Sequence, residues 1–171
     1  MSCTATTMER MVNFASQQRF SVDAPATTET SLRQRRFRLT DRLYLEIEFE
    51  GEEPTWLVHW MQRLSEVLNL SQNWDSYGAR RVKPSAVLGA INFFLPHMQN
   101  LRGPLPDIVP DRDGNIQLEW HIRNVDLEVE AIAEHTYRIF YERDGEVVLD
   151  DVITTNPETA LQVLREIAVF A

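Results

Sequence analysis

Residues 116–130 read IQLEWHIRNVDLEVE, and this stretch decides the fold. Ile116, Leu118, Trp120 and Ile122 alternate with Gln117, Glu119, His121 and Arg123; Val125, Leu127 and Val129 then alternate with Asp126, Glu128 and Glu130. A period of two puts successive side chains on opposite faces of a strand, so each run is a strand with one apolar and one polar face. Arg123-Asn124 between them is a tight-turn candidate. Such alternation builds an antiparallel sheet with one face buried and the other wet.

Downstream, Tyr137, Ile139 and Tyr141 form the next strand, Asp144-Gly145 the next hairpin turn, and Val147 to Ile153 the last strand, which together predict a meander. Asn156-Pro157-Glu158 then starts a helix, with Leu161, Leu164, Ile167 and Ala168 on its buried stripe. Asparagine caps free N–H groups, proline has none to leave unpaired, and glutamate faces the positive end of the dipole.

Upstream, residues 33–53 read RQRRFRLTDRLYLEIEFEGEE. Phe37, Leu39, Leu43, Leu45, Ile47 and Phe49 fall on one face, with Arg36, Arg38, Glu46, Glu48 and Glu50 on the other. This predicts a hairpin turning at residues 40–42, with Arg36 opposite Glu46 and Arg38 opposite Tyr44. Pro54 opens a helix carrying Leu57, Trp60, Met61, Leu64, Val67 and Leu68. Pro84 and Ser85 open a second, with Val87, Leu88, Ile91, Phe94 and Leu95 inward and Pro96 closing it. Gly89 in its middle implies a close packing contact, since glycine there costs about 1 kcal/mol against alanine. The segment 101–114, LRGPLPDIVPDRDG, reads as a linker.

Before residue 33 the chain is rich in Thr, Ser and Gln. Residues 1–32 are expected to form a flexible arm, with a short helix suggested by Met8, Met11, Val12 and Ala15 at helical spacing. Residues 33–171 are expected to form a single α+β domain. Its antiparallel sheet of about six strands combines the N-terminal hairpin with the C-terminal meander, and two central helices and a C-terminal helix cover it.

Length and composition bound the function. The 171 residues are 43% hydrophobic and 25% charged, ordinary globular usage. No window approaches the ~18 apolar residues of a membrane helix and the N-terminus lacks a secretory pattern, so a cytoplasmic location is expected. Cys3 is the only cysteine, which excludes a disulfide scaffold and a cysteine metal cluster. His59, His97, His121 and His135 lack zinc-site spacing, and no phosphate-cradling loop or hydrolase elbow occurs, so neither a cofactor nor a metal is expected.

Net charge is −9 and uneven: Arg33, Arg35, Arg36, Arg38 and Arg42 fall within ten residues, while residues 114–171 hold twelve acids against four bases. Acidic strand faces carrying Glu46 and Glu48, and on another hairpin Asp126, Glu128 and Glu130, would steer a basic protein partner, with Met8 and Met11 of the arm as further contacts. The same faces also serve solubility. Arg33, Arg35, Arg36 and Arg38 could instead bind nucleic-acid phosphates, although the alternation also pairs them with the glutamates. A third reading is a small hydrolytic enzyme using Asp75, Glu119 and His121, a carboxylate beside an imidazole being an acid–base pair.

Between the central helices lies Asn73-Trp74-Asp75-Ser76-Tyr77-Gly78-Ala79. Asn and Asp bond nearby backbone N–H groups, Gly78 can take positive φ, and Trp74 and Tyr77 can bury rings, so the loop reads as a structural corner. With DRDGNIQLEW at 111–120 and LEVE at 127–130, it resembles a family of short bacterial proteins of unassigned function. In that family an NWDxYGA-like loop, a proline-started helix and a DGxIxLEW-like hairpin occur in this order. The resemblance covers about residues 68–130. It implies an accessory protein of a mobile or defence-linked locus, antitoxin-like or immunity-like, and the leading reading of the residues is a non-catalytic protein-binding module. The first fifty residues depart from the short N-terminus of that family.

Overall fold

A computed structural model of the chain describes residues 8–12, 32–41, 43–50, 52–98 and 104–169. Cys3 and residues 13–31 of the expected arm lie outside them, and the side chains of Met8, Met11 and Phe49 are likewise not among those described. The chain divides into two compact units, residues 1–65 and 66–171.

In the first unit, β2 (Leu32–Arg38) pairs antiparallel with β3 (Leu43–Glu50), with Arg36 opposite Glu46 and Arg38 opposite Tyr44, the expected register. The turn is closed by Leu39 N and Thr40 N donating to Leu43 O at 2.9 and 3.2 Å, and by Leu43 N donating to Thr40 Oγ1 at 3.0 Å. Leu39, Leu43, Leu45 and Ile47 are buried. Phe37, expected in the core, is only half-buried, with the Arg35 guanidinium 5.8 Å from its ring centre.

The helix expected around Met8 is not what forms. Met8–Val12 is strand β1, parallel to β3. A helix this short is marginal alone, whereas the open edge of β3 supplies a backbone partner to every second residue. Helix α1 (Thr55–Leu68) follows, with Leu57, Trp60, Met61, Leu64 and Val67 buried as the apolar stripe requires.

The second unit is a five-stranded antiparallel meander, ordered β4 (Asp107–Pro110), β5 (Ile116–Ile122), β6 (Val125–Ala133), β7 (Thr136–Arg143), β8 (Glu146–Thr154). Asp144 and Gly145 join β7 to β8 with φ of 55° and 80°, the two positive values a type I′ turn needs. Helix α2 (Pro84–Met98) lies on β5 and β6, and α3 (Glu158–Val169) on β6. Asn156 Oδ1 accepts the Glu158 N–H at 3.2 Å, the expected cap. Trp120 of β5 meets Phe93 and Phe94 of α2 at ring-centre distances of 6.3 and 6.5 Å, and its indole N–H donates to Pro104 O at 3.1 Å.

The fold is α+β, as the alternation and the helix stripes require. Three details differ from the expectation. Among the described residues the hairpin does not pair with the meander, and the strands form two sheets, one of three and one of five. The assumed linker contains β4, which its prolines concealed; an edge strand tolerates them because its outer row of backbone groups has no partner to lose. Helix α2 continues through Pro96 to Met98, because a proline in the last turn removes a single helical hydrogen bond.

Candidate functional site

The corner loop is built by its short polar side chains. Asp75 Oδ1 accepts from Tyr77 N and Ala79 N at 2.8 and 3.0 Å, and Asn73 Oδ1 accepts from Gly78 N at 2.6 Å. Arg112, in the turn before β5, donates to Tyr77 O at 2.7 Å and meets Asp75 Oδ2 at 3.0 Å. Desolvation would raise the Asp75 pKa, but the two N–H groups and the guanidinium outweigh it and hold the carboxyl below its ordinary value. Both oxygens of Asp75 are therefore engaged in holding the corner together. Trp74 is half-buried, but Tyr77, also expected inward, is 81% exposed, with Arg112 5.9 Å from its ring centre.

The same turn is anchored to the sheet by a second network. Asn115 donates to Glu130 Oε1 at 2.5 Å and accepts from Lys83 Nζ at 2.8 Å, and Arg138 Nη1 donates to Glu130 Oε2 at 2.5 Å. Glu130 is 6% exposed. Burial pushes its pKa up and the neighbouring Asp111 carboxyl pushes the same way, against Asn115 and Arg138. Asp111 itself lies below its ordinary value: desolvation opposes this, but the Asp113 N–H and the Glu130, Asn115 and Arg138 contacts prevail. Glu130, read from sequence as partner-binding, is thus consumed inside the protein.

The remaining acids form a pattern that only the register reveals. Paired residues on neighbouring strands share a face. Opposite the helices, Asp107 pairs with Glu119, Glu119 with Glu128, and Glu128 with Phe140. On β8 the pairing passes from Val152 to Leu149 while β7 passes from Ile139 to Tyr141, so Asp150 and Asp151 both stand opposite Phe140. One transverse row therefore crosses all five strands, about 19 Å at ~4.8 Å per strand, with acids on four of them and a phenyl ring on the fifth. In the next row Asp126 pairs with His121 and with Glu142.

Like charges directly opposite repel, and Glu128 records the effect. Desolvation raises its pKa first, and Glu119, Asp126 and Asp151 raise it further, while His121 pulls the other way. His121 Nδ1 lies 2.8 Å from Asp126 Oδ1 and Nε2 3.2 Å from Glu119 Oε2. The bonds to Asp126 and then Glu119 raise its pKa above the ordinary 6.5, against a smaller desolvation effect. The stabilisation it contributes is therefore full below about pH 6.5 and is lost as pH rises through the raised value. His121→Gln is expected to cost less than about 1 kcal/mol near pH 6, and that difference should vanish near pH 9 in paired urea titrations.

Of the hydrolase candidates, Glu119 and His121 do adjoin each other, but Asp75 is engaged elsewhere and does not join them. Among the described residues no group of three or more His, Cys, Asp or Glu side chains is arranged so that it could hold a metal ion. A cavity of about 490 Å³ near the Arg123-Asn124 turn is lined by Ile122, Val125 and Ile167 with Arg143 and Glu166, which pair with each other at 2.6 Å. In the N-terminal sheet Arg35 meets Glu53 at 3.6 Å, Arg36 meets Glu46 at 3.9 Å, and Arg38 pairs with Asp41; Gln34 donates to Glu48 at 2.5 Å. Arg33 is exposed. No helix among the described residues is long and apolar enough to cross a membrane. Asp107, Asp150 and Phe140 are surface elements that periodicity alone missed; the signal was the pairing register of β4 and of the bulged β8. Compared with protein-family models, curated proteins and solved structures, the chain finds no match.

Proposed function

We propose that the protein is a non-catalytic binding module whose acidic sheet face takes a basic protein partner. The observation that supports this reading is the transverse row Asp107, Glu119, Glu128 and Asp150–Asp151, unfavourable to the isolated chain and complementary to a cationic surface. Phe140 within the row adds an aromatic face to which an arginine or lysine is also attracted. An accessory role of antitoxin or immunity type is one setting for such a module, and rests on the sequence resemblance alone.

The test is retention of a deca-arginine peptide by the purified protein at rising salt. Asp107→Asn with Glu128→Gln keeps the shape of both side chains and removes two charges from the row. It should weaken binding at least about tenfold, whereas Glu158→Gln with Glu166→Gln, both on α3, should change it less than about twofold. Equal losses from the two pairs would reduce the interaction to net charge and end this reading.

A further inference from the structure

Strand β8 ends the sheet, and among the described residues no strand pairs with its outer side. An edge of this kind presents a row of backbone donors and acceptors. It is also apolar where edges are usually charged: Val147, Val148, Val152 and Ile153 are 54%, 57%, 43% and 61% exposed. The apolar residues flank an acidic centre, Asp150 and Asp151, at which the strand bulges and Asp151 takes a φ of 50°.

That arrangement discriminates between occupants. In a second copy paired antiparallel about Asp150, Val147 would face Ile153 and Val148 would face Val152, a good apolar match. The same register sets Asp150 against Asp150 and crowds both Asp151 carboxylates beside them, four like charges at the centre. The acidic centre therefore opposes self-pairing, as edge protection requires, and admits a strand whose own centre is cationic.

We propose that β8 is the edge on which the partner adds a strand: an extended segment with branched apolar residues towards both ends and arginine or lysine at its centre. This rests on the reading of the protein as a binder of basic partners and names the partner's form. Main-chain bonds would supply affinity and the alternating side chains specificity. Asp151 acts electrostatically on Glu128, so the cationic centre would continue the charge match of the acidic row.

The probe is a ten-residue peptide with valines towards both ends and two central arginines, titrated to millimolar concentration while backbone amides are followed by NMR and hydrogen exchange. A second version, N-methylated at alternate residues, keeps the charge and side chains but cannot extend a sheet. The unmodified peptide should protect the outward amides of β8 and bind at least about tenfold more tightly than the methylated one, and Ile153→Lys should remove that advantage. If both versions bind equally and only Glu119 and Glu128 respond, the edge inference fails while the acidic-face reading stands. If neither binds, both fail. Protection of β8 that grows with protein concentration without peptide would make the occupant a second copy and overturn the proposal.

Discussion

Truncating Trp120 to alanine should lower the free energy of unfolding by about 4 kcal/mol, the largest loss expected from any single side chain here. Trp120 is 2% exposed, and it joins β5 to α2 by edge and tilted contacts with Phe93 and Phe94. Removing the indole deletes its transfer free energy and leaves a cavity between a sheet and a helix whose backbones cannot collapse into it. Pro104 O would also lose the indole donor that ties the chain before β4 to the core. A domain of this size has about 5–15 kcal/mol to lose, so the variant should remain folded at low temperature with a sharply reduced urea midpoint. Trp120→Phe should recover about half of the loss, because it restores the ring contact but not the hydrogen bond.

Gly89→Ala should cost about 3 kcal/mol, although alanine is the better helix former by about 1 kcal/mol. A Cβ at this position would lie 2.3 Å from Ala133 O and 3.0 Å from Ala131 Cβ, so α2 would have to move off β6. The obstacle is backbone oxygen in a paired strand, which cannot swing aside. The shift would also strain Tyr137, whose hydroxyl lies 3.4 Å from Gly89 O and whose ring packs 5.6 Å from Phe93. Circular dichroism at 222 nm during thermal unfolding would read the change, and a melting temperature equal to or above that of the parent would show that the helix–sheet spacing is softer than the packing implies.

These two positions show what the sequence carries and what it withholds. Gly89 stood out because glycine is costly inside a helix, and the cost implied a close neighbour, though not which strand. The alternation of 116–130 set both faces of β5 and β6, and the Arg36–Glu46 register followed from keeping two apolar sets on one face across a three-residue loop. Strand β4 was hidden by Pro106 and Pro110, and β1 by methionines that fit a helical spacing but form a strand where β3 offers its edge. Residues 147–153 were legible as the last strand, but the bulges that set Asp150 and Asp151 together and Val148 out of register were not, because they arise from pairing with β7. The acidic row could not be read without those registers. Asp126 and Glu128 were visible as strand acids, yet nothing local told them apart from Glu130, which the fold buries against Arg138 and Asn115.

An acidic face held ready for a cation is strained without one, and this strain can be measured directly. Glu128→Gln keeps the size of the side chain and an acceptor for Gln117 while removing the charge that faces Glu119. Its urea midpoint at low salt should rise, by about 0.5 kcal/mol in stability, and the gain should shrink towards zero near 1 M salt as screening removes the repulsion. A midpoint that falls, or a change that ignores salt, would mean that the row is already compensated within the protein, and the account of a partner-seeking acidic face would be contradicted.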